Sequence, residues 1–203
     1  VTTLGTHNLH DHTGTPTAFA DVILFTEAIP ARVIATLGAA YDVHVCRRQK
    51  DLVVATRKGV FRLSSQRYTP AGPGIRKITP HRGTYELVGR LGDEVVVILA
   101  EHRINAAFPP FRRGEGWFRS AMWKFHTAAT LRRIRHHKRK GRLVLAGGDL
   151  NTPNGTWGYK GTLHEVGNGV GHGYDRLGCT RPLGDVEALS RMGSDHPRLR
   201  ARL

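Results

Sequence analysis

Gly148-Asp149-Leu150-Asn151 sets an acid and an amide two residues apart, directly after the apolar run Leu143-Val144-Leu145-Ala146. Such a run suits a strand buried on both faces. At the two-residue period of a strand, Asp149 and Asn151 point the same way. At the mouth of a buried strand that pair can hold a metal, a water or a phosphate. The same residues also suit a strand closed by a plain Asx-type turn. Two more apolar runs end in polar groups: Val22-Ile23-Leu24-Phe25 stops at Glu27, and Val95 to Leu99 stops at Glu101-His102. Asn8 closes a fourth strand, and Ser194-Asp195-His196 lies near the end of the chain with Asp175 before it. Carboxylates and amide oxygens suit a hard divalent cation. Imidazole moves protons near neutral pH, and a carboxylate beside it fixes its tautomer. Hydrolysis of a phosphoester anion calls for both kinds of group.

Rigid elements must bring these groups together. Thr2 to Asn8 and Ala20 to Thr26 read as strands, with a loop over Asp11 to Thr17. Pro30 suits the first turn of a helix reaching about Ala40. Tyr41 to Cys46 and Leu52 to Arg57 alternate around the polar turn Arg47 to Asp51, which predicts a hairpin. Phe61 to Arg82, weakly patterned, reads as a long surface excursion with one strand near Ile75 to Ile78. Tyr85 to Arg90 and Glu94 to Ala100 follow as strands around the Gly92-Asp93 turn, and Pro109 to Gly116 as a loop. Trp117 to about Lys138 is the clearest helix, with Phe118, Met122, Phe125 and Ala129 as its core stripe. Gly141 ends it. Asn154 to Gly173 reads as irregular. Tyr174 to Cys179 and Asp185 to Leu189 read as the last strand pair, and Leu199, Ala201 and Leu203 alternate as a half-exposed strand.

The 203 residues suit one domain spanning 1–203, with no internal repeat and no linker. Hydrophobic content of 39% against 23% charged supports a folded core. Lys and Arg number 31 against 16 Asp and Glu, a formal charge of +15. That excess favours polyanions: nucleic acid first, an anionic membrane surface second. A generally basic composition that serves solubility would give the same number. Cys46 and Cys179 form no zinc or disulfide pattern and are expected as free thiols. No apolar run approaches the roughly 18 residues of a membrane span, and no signal peptide is visible. A cytoplasmic monomer is expected, with export left open because the chain starts at Val1.

The order Asn8, Glu27, His102, Gly148-Asp149-Leu150-Asn151, Asp175, Ser194-Asp195-His196 resembles the endonuclease/exonuclease/phosphatase superfamily, over the whole chain from residue 2 to 203. Gly-Asp-x-Asn and the near-terminal Ser-Asp-His are its most specific parts. The resemblance implies an α/β (α+β) four-layer sandwich, two mixed β-sheets packed face to face with helices on the outside. It implies a Mg²⁺ or Mn²⁺ cofactor held by Glu27, helped by Asn8 and Asp195. His196, oriented by Asp175, would be the general base or would stabilise the transition state. Asp149 would position the attacking water, Asn151 would hold a phosphate oxygen, and His102 would be a second histidine facing the phosphate.

Taken singly, each residue has a plainer reading. Glu27 could simply precede a helix, His102 could be a satisfied half-buried histidine, and Ser194-Asp195 could be a turn. Some features depart from the family pattern. His7 stands where an aromatic residue, often Trp, is usual. His102-Arg103-Ile104-Asn105 stands where abasic-site endonucleases carry Tyr-x-Pro-Asn. The interval from Asn151 to Asp175 is short, and no acid declares itself as the partner of His102. His7, His10, Asp11 and His12 fit no zinc spacing. The expected activity is a metal-dependent phosphodiesterase, a nuclease on DNA. Arg132, Arg133, Arg135, Lys138, Arg139 and Lys140 would supply backbone affinity. A phosphatase or phospholipid phosphodiesterase is the alternative within the family, and a catalytically silent nucleic-acid-binding domain the alternative outside it.

Overall fold

The apolar strands alternate their side chains between two cores, and this sets the architecture. Val22 and Leu24 face an inner core, while Ile23 and Phe25 face outward. Leu143 and Leu145 likewise face inward, and Val144 and Ala146 outward. A strand buried on both faces must lie between two packed layers.

The computed structural model describes residues 2–71, 82–104, 115–151, 158–159, 161–167, 175–194 and 196–203. In chain order the elements are β1 (Thr3–Asn8), α1 (His10–Thr13), β2 (Val22–Thr26), α2 (Pro30–Leu37), β3 (Tyr41–Val45), β4 (Val53–Arg57), β5 (Phe61–Pro70), β6 (Gly83–Leu91) and β7 (Glu94–His102). They continue as α3 (Glu115–Arg139), β8 (Leu143–Asp149), β9 (His164–Gly167), β10 (Asp175–Cys179), β11 (Gly184–Leu189) and β12 (Arg198–Arg202). Two six-stranded sheets result, ordered β11-β12-β1-β2-β4-β3 and β5-β6-β7-β8-β10-β9. Each mixes parallel and antiparallel pairs: β1–β2 and β7–β8 are parallel. Leu4, Leu24, Val54, Leu87, Ile98, Leu145 and Leu177 fill the space between the sheets. Val33 and Leu37 of α2 cover the outside of the first sheet, and Leu131 and Ile134 of α3 the outside of the second. The four-layer α/β sandwich expected from the sequence is present.

Several local readings are corrected. Phe61–Pro70 is a ten-residue strand rather than a surface excursion. It lies at a sheet edge with Arg62 to Arg67 exposed, so it carries no core pattern to read. The strand placed near Ile75 to Ile78 lies outside the described residues, as do most of the Pro109 loop and of the Asn154 to Gly173 stretch; His164–Gly167 of that stretch is a strand. Residues 10–13 form one helical turn within the expected loop. β10 and β11 do not pair with each other: β10 joins β8 and β9, and β11 joins β12 in the other sheet. Phe125 is 64% exposed, so the stripe of α3 that meets the sheet is rotated from the expected one. It runs through Trp123, Thr127, Thr130, Leu131, Ile134 and His137. Polar residues occupy it because the sheet beneath offers buried charges to pair with. Gly141, at φ 67°, ends the helix turn as expected, and both cysteines are buried free thiols. No helix among the described residues is long and apolar enough to cross a membrane.

Candidate active site

Register alone brings the expected residues to one rim. His102 and Asp149 are partners on the parallel pair β7–β8, and Asp149 faces Asp175 across β8–β10. Asn8 ends β1 beside Thr26, one residue before Glu27. Gly148 makes the β7–β8 approach possible. Its φ is 124°, and a Cβ there would lie 2.0 Å from the Glu101 carbonyl oxygen.

The rim carries backbone strain. Among the described residues, His10, His12, Glu27, Asn151, Asp185 and Met192 have positive φ without being glycine. The first four lie at or beside the strand ends just named. Left-handed backbone costs an ordinary residue about 1 kcal/mol or more and gathers at functional sites. The turn after β2 at Glu27 is fixed by the Ala28 N–H donating to the Asp51 carbonyl at 3.0 Å, and by the His12 Nδ1 2.6 Å from the Glu27 carbonyl.

Glu27, His102 and Asp149 each turn one ligand atom into the same space, all within 4.8 Å of one another. His102 Nε2 is 3.6 Å from Glu27 Oε1 and 3.9 Å from Asp149 Oδ2. On the far side of the ring, Nδ1 is 2.9 Å from Asp51 Oδ2 and 2.8 Å from Arg82 Nη1. Both contacts cannot be hydrogen bonds of one nitrogen proton. Arg82 Nη1 already donates to Asp51 Oδ2 at 2.7 Å, and the carboxylate is the better acceptor, so Nδ1–H points to Asp51. The Nε2 lone pair then faces two carboxylates. That arrangement calls for positive charge between them, a second ring proton or a metal ion. Two carboxylates with one imidazole suit Mn²⁺ well, and Mg²⁺ through the carboxylates. The donor set fits a divalent cation.

Asp149 is held from both sides. Asn8 Nδ2 donates to its Oδ2 at 2.8 Å, and the Asn151 N–H to its Oδ1 at 2.9 Å. The amide oxygen of Asn8 accepts the His10 N–H at 2.8 Å. Asn8 therefore orients Asp149, and its own oxygen is already engaged. Asn151 Nδ2 donates one proton to the Arg103 carbonyl at 2.9 Å, which leaves its second for a ligand. Asp195 lies outside the described residues.

His196 Nδ1 stands 2.7 Å from Asp175 Oδ2, and the His196 N–H donates to Ser194 Oγ at 3.0 Å. Asp175 is fully buried. Burial raises its carboxyl, the His196 hydrogen bond opposes that, and the Asp149 charge adds to it, leaving it near 6. Asp51 goes the other way. Burial pushes it up, but the His102 hydrogen bond and charge and the Arg82 guanidinium outweigh that and hold it well below the carboxylate range.

Asp51 is the acid that the sequence reading left unassigned. It sits in the Arg47 to Asp51 turn, which reads only as a polar hairpin. The hairpin register does contain the clue: Val53 pairs with Phe25, so the residues just before it lie level with Glu27. His7, the departure from an aromatic, is buried between Phe19 and Phe25. Burial lowers its pKa to about 4, so it packs as a neutral ring. The expected basic patch falls elsewhere. Arg132 to Lys140 leads into the start of β8, while the site is at its end, roughly 20 Å away at strand rise. There Arg133 is committed to Glu86, and Lys138 to the Thr162 carbonyl.

Behind the rim lies a buried support. Arg103 donates to Glu101 Oε2 and Thr127 Oγ1, both at 2.9 Å, and Trp123 Nε1 donates to the Leu150 carbonyl at 2.7 Å. The Arg103 N–H also donates to the Asp149 carbonyl at 2.9 Å. Helix α3 and the Asp149–Asn151 corner are thus tied together through a charge pair sealed from water.

No family model matches the chain, and no curated protein matches it by sequence. Solved structures do. Truncated TDP2 from Caenorhabditis elegans superposes with a TM-score of 0.68 at 17% identity, over 98% of this chain and 96% of that one. An endonuclease/exonuclease/phosphatase from Bacteroides vulgatus gives 0.70 at 12% identity, over 98% and 97%. A mannosyl-6-phosphatase from Bacteroides thetaiotaomicron gives 0.69 at 11% identity, over 100% and 99%. The chain shares the fold of these proteins.

Proposed function

We propose that this protein is a metal-dependent phosphodiesterase, a nuclease that hydrolyses DNA. One observation carries the reading: Glu27, His102 and Asp149 converge within 4.8 Å beside a histidine held by a buried acid. Glu27 and Asp149 would hold a divalent ion, Mg²⁺ or Mn²⁺, with His102 Nε2 at the same space. When bound, that ion screens the phosphoester anion and polarises its oxygens.

The chain's own groups do the rest. Asp149, fixed by Asn8 and by the Asn151 N–H, offers a carboxylate oxygen to align the attacking water. Asp175 holds His196 by Nδ1, so Nε2 is the atom that takes or gives a proton, or donates to the phosphoryl oxygen as charge builds. Such acid–base help is worth roughly 10²–10⁴ in rate. His102, held at Nδ1 by Asp51, presents its other nitrogen to the same region. The second side-chain amide proton of Asn151, unclaimed among the described residues, suits a phosphate oxygen. The +15 charge supports a polyanionic substrate.

A second reading, hydrolysis of a small phosphate monoester, draws support from the mannosyl-6-phosphatase likeness. One panel separates the two. Supercoiled plasmid, inositol phosphates and mannose 6-phosphate are incubated with Mg²⁺ or Mn²⁺, with and without chelator, beside His196→Ala and Asp149→Ala. Metal-dependent nicking that both substitutions abolish supports the nuclease. Phosphate release without nicking supports the phosphatase. Salt-sensitive DNA binding without any hydrolysis, surviving both substitutions, would leave a silent binding domain instead.

A further inference from the structure

The turn that supplies Asp51 also forms one wall of a cleft. Arg47 and Arg48 stand on that wall, Gln66, Arg67 and Tyr68 of β5 on the other, and Tyr85 lies at the base. The cleft measures 290 Å³, at the lower end of the roughly 300–1,000 Å³ usual for small-ligand sites. It opens between the edge strands of the two sheets, β3 and β5, at the end where Glu27 and His102 lie.

Its lining is chemically one-sided. Arg47 and Arg48 bring two guanidiniums to it, and no acid lines it among the described residues; Arg67 lends its stretch of β5, its side chain alternating to the face of Glu86. Eight arginines elsewhere, at 57, 82, 103, 133, 176, 181, 200 and 202, have acidic partners. Arg47, Arg48 and Arg67 have none among the described residues. The Tyr68 hydroxyl is shielded from solvent and has no hydrogen-bond partner among the described residues. A shielded hydroxyl without a partner costs free energy that a ligand acceptor would recover. Tyr85 donates to Gln66 Oε1 at 2.5 Å, which leaves the Gln66 amide nitrogen as a donor. Donors of several kinds thus surround one space, as an anion with further acceptors requires.

The cleft is coupled to the rim by short connections. Gln49, next to Arg48, accepts the Gly83 N–H at 3.1 Å and reaches the His102 carbonyl at 3.5 Å. Asp51, two residues on, holds the His102 ring. A chain molecule with one phosphate at the rim would lay its neighbouring unit here.

We propose that this cleft binds the nucleotide flanking the scissile bond in a single-stranded nucleic acid, with Arg47 and Arg48 on its phosphate and Tyr68 and Gln66 donating to its remaining acceptors. The inference rests on the phosphodiesterase reading for the word scissile, and its test does not. Binding of a fluorescent oligonucleotide of about 12 residues is measured by anisotropy in chelator, across a salt series. Arg47→Gln/Arg48→Gln is compared with a charge-matched control at the other end of the molecule, Arg132→Gln/Arg135→Gln. The cleft variant should weaken binding roughly tenfold at low salt and lower the salt slope by about 1.4, at about 0.7 for each phosphate contact. The control should change affinity less than twofold. Equal losses in both variants, or none in the cleft variant, would overturn the proposal; so would mannose 6-phosphate competing through Arg47 and Arg48 while the oligonucleotide fails to bind. Hydrolysis of bis(p-nitrophenyl) phosphate with Mn²⁺, run in parallel, reports on the phosphodiesterase reading alone. Turnover there with no selective loss of binding sinks the cleft and spares the enzyme. Selective loss of binding with no turnover does the reverse.

Discussion

Asp51 and Asp175 each face a histidine ring nitrogen, at 2.9 and 2.7 Å, on the same rim. Their surroundings differ. Asp51 is partly open and shares its oxygen with Arg82. Asp175 is sealed, lies opposite Asp149, and has one carboxylate oxygen without a partner among the described residues. The first carboxyl is held low and the second is driven up. A carboxylate clamped by a guanidinium is a fixed post for its imidazole. One raised toward neutrality responds to the charge of its imidazole, as a proton-transfer pair must. Under the proposed function, the difference suits Asp51–His102 to orientation and Asp175–His196 to proton chemistry.

Substitution of the second pair should cost the most. His196→Ala and Asp175→Asn are expected to lower kcat for bis(p-nitrophenyl) phosphate by about 10³-fold. Asp51→Asn should cost about 10-fold to 100-fold, the usual loss when the partner that orients a histidine is removed. Equal losses at Asp51 and Asp175 would erase the contrast.

Stability against pH sharpens it. The folded carboxyl of Asp175 lies above its unfolded value of 3.8. The native state therefore holds the extra proton, and this contribution is full below 3.8 and lost as pH rises through about 6. The loss is at most about 3 kcal/mol. Asp51 is depressed, so its contribution is present above 3.8 and falls away in acid. Urea melts of wild type against Asp175→Asn from pH 4 to 7 should diverge with the variant gaining; Asp51→Asn should lose most of its difference from wild type in strong acid.

The smallest effect is expected at Arg82. Arg82→Gln removes the cation beside Asp51, whose carboxyl is held far below the working pH range, so kcat should fall only a few-fold with the pH profile unmoved. A shift of the profile would instead couple Arg82 to the Asp175–His196 pair.

These pairs were unequally legible in the sequence. His196 and Asp175 carry a family-like order, though no apolar run marks either of them. Asp51 lies in a turn whose residues look merely solvated, and only the β2–β4 register brings it level with Glu27. The same asymmetry holds for the fold. β2, β7 and β8, buried on both faces, announce themselves as apolar runs, while β5 at an edge does not. On α3 the apolar residues pointed to the wrong stripe, because Thr127, Thr130 and His126 turn inward to serve Glu101 and Arg103. Periodicity of apolar residues cannot register a helix face selected by buried charge.

Saturation of hydrolysis by Mn²⁺ tests the centre of this account most directly. Wild-type activity on bis(p-nitrophenyl) phosphate should rise from the chelated baseline to a plateau, and Asp149→Asn and Glu27→Gln should each need at least tenfold more Mn²⁺ for half of their own plateau. Hydrolysis that ignores chelator, or half-saturation unchanged in both variants, would show that Glu27, His102 and Asp149 do not hold the ion.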